Sequence, residues 1–358
     1  MASPSNGNVA LPMVQLNHIC SPLNPTVEAR IAAILWGPFP AQNDYTPEAS
    51  PRPYFSYYTD QCRTVYYSLG TSFWFITHDA VVDMISAMRQ GVTREELVQD
   101  VLNNHSIPAS SPQFNETHIA NAFVDLVARL VLMVEVGPVT KRVWSRRACR
   151  SWESGNISSF ATGLFEAQSP NSRESTELSS NFNARNLDVI AGLRVELTSN
   201  LLDHLQVMDI EGVSTLMVFH HVSFLKNHGD SLFADGFVYE TIQTLALLFP
   251  QNTWYRDSKA WYHKYLEPTV TDADPGVLSC GPLTMTSLDS YRFWHDRLSR
   301  LQQIFDQAKP RTLSQWWNDR REGTQWYALW VAVGLTVFFG LVQSIEGALQ
   351  VYKAYHPD

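Results

Sequence analysis

Four histidines lie near one another in the chain, His204, His220, His221 and His228, and Asp203 precedes the first of them. An imidazole titrating near neutrality can act as a general acid or base, or donate a nitrogen to a metal, and a neighbouring carboxylate can orient it. His220, His221, His228 and Asp203 are therefore the candidate catalytic residues. A metal ion asks for more, because donors from separate side chains must converge on one point at ~2 Å. Adjacent histidines in a strand point to opposite sides of a sheet, so His220 and His221, directly after the strand-like run TLMVF, are not expected to share an ion. No metal and no cofactor follow from this set, and a structural or solvated role for the histidines is expected. The chain contains no G-x-S-x-G, H-E-x-x-H, Walker loop or Gly-rich dinucleotide fingerprint. Asp272 and Asp274 could hold a cation, but the string DADPG has the composition of a turn.

The cysteines add no chemistry of their own. Cys20, Cys62, Cys149 and Cys280 are scattered singly, with no C-x-x-C pair, which points to reduced structural thiols rather than a disulfide framework or a zinc site. Three N-glycosylation sequons occur at Asn104, Asn115 and Asn156, and they matter only if that region faces a lumen. The formal net charge of −9 excludes a nucleic-acid partner as the leading reading, since phosphate neutralisation needs clustered Lys and Arg. Apolar residues make up 45% of the chain, enough for a sizeable core. Charged residues reach only 17%, against roughly 25% in ordinary soluble domains. Part of the surface is thus expected to meet something other than water.

The missing charge is concentrated near the C-terminus. The run from Trp326 to Val342, WYALWVAVGLTVFFGLV, has no charge or amide, and the next acidic residue is Glu346. At a rise of ~1.5 Å per residue the segment 326–346 matches a hydrocarbon core of ~30 Å. Trp326, Tyr327 and Trp330 gather at one end as interfacial rings do, Phe338, Phe339 and Val342 carry the apolar body, and Tyr352 and Tyr355 lie past the other end. Lys309, Arg311, Arg320 and Arg321 precede the span and only Lys353 follows it, so the positive-inside bias keeps the N-terminal region in the cytosol. The expected topology is single-pass and tail-anchored, with the bilayer as a partner and the sequons unused. The row Gly340, Ser344 and Ala348 could let two spans approach.

Seven segments are expected. Residues 1–56 form a Pro-rich arm broken by a short apolar stretch near Ile31 to Trp36 that could form a helix and dock, so a packed fold begins near Tyr57. Residues 57–150 have the pattern of a helical bundle, winged-helix-like in its order of elements. Val81, Val82, Ile85 and Met88 stripe one helix, Thr93 and Glu96 form a capping box for a second, and Ile119 to Met133 stripe a longer third. The basic stretch Lys141, Arg142, Arg146, Arg147 and Arg150, with Trp144 and Trp152, is a candidate contact for an acidic partner or anionic headgroups. Residues 151–184 look like a polar linker. Residues 185–310 are expected to form an α+β unit, with two or three strands among the runs Ala191 to Thr198, Leu205 to Val207 and Thr215 to Phe219, and helices over 220–226, 237–249 and 288–308. A juxtamembrane helix over 311–325, the span over 326–346 and a short tail over 347–358 complete the chain.

The C-terminal stretch WWNDRREGTQWYALWVAVGLTVFFGLVQSIEGALQVYKAY resembles the tail of a large group of uncharacterised filamentous-fungal membrane proteins. RLVLMVEVG, AGLRVELTSNLLDHL and VFHHVSFLKNH resemble the same group farther upstream. The resemblance implies a single-pass membrane protein and supplies no activity, cofactor or catalytic residue. The expected architecture is mainly α with a minor β component, an α+β cytosolic region followed by one C-terminal transmembrane helix. The expected role is a non-enzymatic interaction or scaffold protein, with a protein partner at the cytosolic region. The alternative is a membrane-surface enzyme or accessory factor acting on an apolar small molecule, with fungal specialised metabolism as its setting.

Overall fold

The computed structural model describes residues 18–37, 50–73, 76–104, 115–137, 148–168, 177–179, 181–228, 232–251, 256–308 and 323–355. They form helices α1 (Pro25–Trp36), α2 (Arg52–Leu69), α3 (His78–Arg89), α4 (Arg94–Asn104), α5 (Glu116–Leu132), α6 (Ile157–Leu164) and α7 (Ala184–Val189). Strands β1 (Arg194–Thr198), β2 (Gln206–Ile210) and β3 (Val213–Phe219) follow. After them come α8 (Val222–His228), α9 (Phe237–Leu248), α10 (Arg256–Trp261), α11 (His295–Gln307) and the long α12 (Gly323–Tyr355). The mainly α architecture with a small sheet agrees with the sequence reading.

The helical half assembles as its patterns dictate. The capping box forms, with the Thr93 N–H donating to Glu96 Oε2 at 3.0 Å and the Glu96 N–H donating to Thr93 Oγ1 at 3.4 Å. α5 is the central helix, mostly apolar where it meets α2, α3 and α4 but burying Asp125 and Arg129 as well, and it ends at Met133, whose φ of 51° closes the last turn through its N–H to the Arg129 carbonyl. Two tyrosines of α2 satisfy carbonyls on that final turn: Tyr54 Oη donates to the Leu130 oxygen at 2.9 Å and Tyr57 Oη to the Arg129 oxygen at 3.2 Å. Arg94 of α4 bonds Asp125 of α5 at 2.7 Å and lies over the Trp152 ring.

The sheet has the order β1-β3-β2, with β1 parallel and β2 antiparallel to β3. Glu211 and Gly212 join β2 to β3 with φ of 54° and 81°, the mirror-image turn that matches strand twist. β3 is buried from Thr215 to Phe219, as a central strand covered on both faces must be.

Several expectations are corrected. α2 begins at Arg52 and buries Pro53, Tyr54 and Phe55, so packing begins before Tyr57, while α1 forms and docks as the stretch near Ile31 to Trp36 suggested, with Ile31 and Leu35 fully buried. The segment expected as a polar linker contains α6, whose Ile157 and Ala161 are buried, and the start of α7. The helix expected over 288–308 begins at His295 rather than Leu288, after a separate turn at Leu288–Ser290. The two expected units share one continuous core: Tyr54 of α2 stacks on Phe224 of α8 with centroids 5.8 Å apart, and the Leu201 N–H donates to the Met133 carbonyl at 2.8 Å.

α12 has 33 residues and, at ~1.5 Å per residue, a length of about 50 Å. Its apolar part, Tyr327–Tyr352, is long and apolar enough to cross a membrane, and none of it is buried. A core helix of the same composition would be covered. Val331, Leu335, Phe338, Phe339, Leu341 and Ile345 all stand exposed. Residues 347–355, expected as part of the tail, continue the helix. The Trp326 side chain, the juxtamembrane stretch 309–322 and most of the basic stretch, 138–147, lie outside the described residues.

Candidate functional site

The four histidines are all buried, and the structure uses each for packing. His204 follows the turn Leu201–Asp203 that links β1 to β2. Its Nδ1 accepts the Phe219 N–H at 3.1 Å, which leaves the proton on Nε2 to meet Thr244 Oγ1 at 2.7 Å. Thr244 in turn donates to the Thr241 carbonyl at 2.6 Å. The ring stands edge-on to Trp294 at 4.8 Å. Both nitrogens are engaged, and burial lowers the imidazole pKa well below its usual range, with the nearby Arg297 guanidinium acting in the same direction.

His220 and His221 do not belong to the strand. β3 ends at Phe219 and α8 begins at Val222, so the two histidines occupy the bend between them. Their rings lie 4.0 Å apart at 32°, which overturns the expectation of opposite faces. Strand alternation holds only while the backbone stays extended. His220 Nδ1 accepts the Asp274 N–H at 3.3 Å, and burial pushes this imidazole down to about 3. His221 Nε2 meets Ser199 Oγ at 2.9 Å, and burial also pushes His221 down, with His220 beside it. His228 ends α8 stacked on Phe224 at 4.9 Å and edge-on to Phe233, and burial takes it to about 3.

The Asp203 carboxylate turns elsewhere. Oδ1 accepts the Ala148 N–H at 2.8 Å and Oδ2 accepts Asn200 Nδ2 at 3.0 Å. Asn200 also receives the Glu135 N–H at 3.1 Å and donates to the Ala148 carbonyl at 2.8 Å. Asp203 and Asn200 thus tie the end of the α5 region and the chain at Ala148 to the β1–β2 connection. Among the described residues, no three His, Cys, Asp or Glu side chains are grouped to hold a metal ion.

The other sequence candidates fall into place in the same way. Asp274, expected in a plain turn, is fully buried: Oδ2 receives the N–H and the hydroxyl of Ser223 at 2.7 and 2.6 Å, and Oδ1 receives the Gly276 N–H at 2.7 Å. It caps α8 from a distant loop. Trp152 is buried against Phe160 at 5.8 Å and is therefore not an exposed contact residue. Asn115 and Asn156 are N-caps, accepting from the His118 N–H at 2.7 Å and the Ser159 N–H at 2.9 Å, while Asn104 donates to Asp100 at the exposed end of α4. All four cysteines are free thiols.

Sequence reasoning missed Glu240. This residue lies inside α9 and is buried, and its two oxygens receive the N–H groups of Arg292, Phe293 and Trp294 at 2.7–2.8 Å. A Glu one helical turn after Gly236 carries no local sign that its partners stand more than fifty residues later.

The buried imidazoles, with pKa values lowered by burial, and the carboxylates bonded to backbone and side-chain donors are parts of a buried polar core. No family model, curated protein or solved structure matches this chain.

Proposed function

We propose that the protein is anchored in a bilayer through α12, with the region that precedes the helix on the cytosolic side. In this reading it acts there as an interaction or scaffold unit rather than an enzyme. The observation that carries the reading is the unburied apolar stretch Tyr327–Tyr352, which has no low-energy place in water. The basic flank of Lys309, Arg311, Arg320 and Arg321 supports the orientation, and a bilayer is the first partner. The structural employment of His204, His220, His221 and His228 favours the interaction role over the enzymatic one. The same reading keeps the chain beside the filamentous-fungal membrane proteins that its tail resembles.

Two measurements test this. The full chain should resist alkaline carbonate extraction from membranes, and the double variant Leu335→Arg, Phe339→Arg should be released. Each arginine at the centre of a span costs about 2.5–3.5 kcal/mol of insertion. Equal retention of both proteins rejects the anchor. For orientation, a glycosylation acceptor fused after Asp358 should be modified while Asn104, Asn115 and Asn156 are not, and the reverse pattern turns the molecule over.

A further inference from the structure

α11 ends beside a cleft of about 650 Å³, within the ~300–1,000 Å³ of small-molecule sites. Ile190 and Leu193, from the turn between α7 and β1, form part of its lining together with Val207 of β2. α11 supplies Arg300, Ile304 and Gln307, which recur at i, i+4 and i+7 and so share one helix face. The result is an open trough, about as polar as apolar, with a cation at one level, an amide two turns away and Ser214 of β3 in its wall.

Arg300 is the one charged residue of this lining, and it is exposed. Among the described residues no carboxylate lies within ion-pairing distance of it. Its neighbour one turn earlier, Arg297, is by contrast committed to the carbonyls of Leu202 and His204. A carboxylate matches the planar fork of the Arg300 guanidinium with two parallel bonds, which an uncharged apolar occupant does not offer. A doubly charged phosphate would find a single cation here.

We propose that the cleft binds a single-chain acyl carboxylate, a fatty acid drawn from the bilayer, with its headgroup on Arg300 and its chain along Leu193, Val207 and Ile304. The source rests on α12 being the membrane anchor. Ala308 lines the cleft and Gly323 begins α12, so the chain between them keeps the cleft within about 54 Å of the start of that helix.

The test uses the full chain in phosphatidylcholine nanodiscs and a palmitate analogue bearing a diazirine near its methyl end. Crosslinks should map to the cleft, at or beside Val207 and Ile304. Arg300→Gln should lower labelling roughly tenfold, the loss of one charge-assisted contact, and Arg300→Lys should restore part of it. The matching fatty alcohol should label as weakly as Arg300→Gln does with the acid. Ile304→Glu should abolish labelling by repelling the headgroup and wetting the trough; circular dichroism of each variant verifies its fold. Equal labelling of wild type and Arg300→Gln overturns the proposal, as does equal labelling by the alcohol, crosslinking elsewhere, or displacement by millimolar inorganic phosphate. Carbonate extraction of the same sample separates the two readings. A retained protein that is not labelled rejects the cleft alone. A released protein rejects the anchor, and labelling in detergent with added palmitate analogue then still decides the cleft.

Discussion

The Glu240 carboxylate accepts the Trp294 backbone N–H at 2.8 Å and so caps α11 from a helix that lies more than fifty residues earlier. Trp294 has no local side-chain cap, and the bonds from Arg292 and Phe293 complete a three-donor cradle. Burial raises the Glu240 pKa, and these three N–H bonds, with the Arg292 charge, pull it back. Trp294 Nε1 also donates to Thr241 Oγ1 at 2.9 Å, so α9 holds both the backbone and the ring of its partner.

Removing this cap should be among the costliest single changes in the molecule. Glu240→Ala leaves three N–H groups without their acceptor in a buried site, a loss of about 3 kcal/mol or more. Glu240→Gln keeps one acceptor oxygen and should cost less than the alanine variant. Urea unfolding followed by tryptophan fluorescence reads both, and equal midpoints for wild type and Glu240→Ala would refute the assignment.

Acid should unfold the protein through its histidines before its carboxylates. His204, His220, His221 and His228 are held below their ordinary pKa by burial, so the unfolded chain binds their protons first. Their stabilising effect is complete above about pH 6.5 and is lost as pH falls toward about 3, where His220 and His228 protonate in the folded state. Each contributes a slope of about 1.4 kcal/mol per pH unit in that window. Asp125, Glu240 and Asp274 work in the opposite sense, because burial raises their pKa and the folded state takes their protons first. That effect belongs to the carboxylate range. Between about pH 6.5 and 5 the melting temperature should therefore drop steeply, and His228→Phe should flatten the drop.

Gly137 tests the close approach beside the α5 terminus. A Cβ built there would lie 2.1 Å from Asp125 Oδ2, and its φ is +76°. Gly137→Ala should push Asp125 off Arg94 and strain the backbone, at about 2 kcal/mol or more. Gly192→Ala, with φ of +71° and open space around the position, should cost only the backbone part. Thermal melts of the two variants separate clash from conformation.

The capping asparagines need a particular substitution. Asn115→Ala and Asn156→Ala should each lose about 1 kcal/mol, since both side chains cap helices. Aspartate keeps the accepting oxygen, complements the helix dipole and removes the glycosylation acceptor. The aspartate variants should therefore melt within a few tenths of a kcal/mol of wild type, which makes them the controls for the topology measurement.

How much could be read along the chain follows from the range of each interaction. The Thr93–Glu96 box, the apolar stripe of α5 and the strand runs were legible, though the sequence left two or three strands open, because each is encoded within a few residues. α2, α6, α7 and α10 were missed. α6, α7 and α10 are too short, at 8, 6 and 6 residues, to repeat an apolar period clearly, whereas α2 has 18 residues but buries a face rich in tyrosine (Tyr54, Tyr57, Tyr58), a residue type that suits strands as well as helices. The histidine cluster was legible as a set, but its geometry was not, because the bend at His220 and His221 ends the alternation on which the expectation relied.

By itself the sequence determined a C-terminal helix long and apolar enough to cross a membrane and the balance of helix and strand, both properties of composition and local period. The tertiary structure alone decided that Glu240 and Asp274 are caps, that His204 carries its proton on Nε2, and that Arg300 faces an open trough. A buried polar group takes whichever partner the fold brings within hydrogen-bond distance, and for these residues that partner lies on a distant segment of the chain.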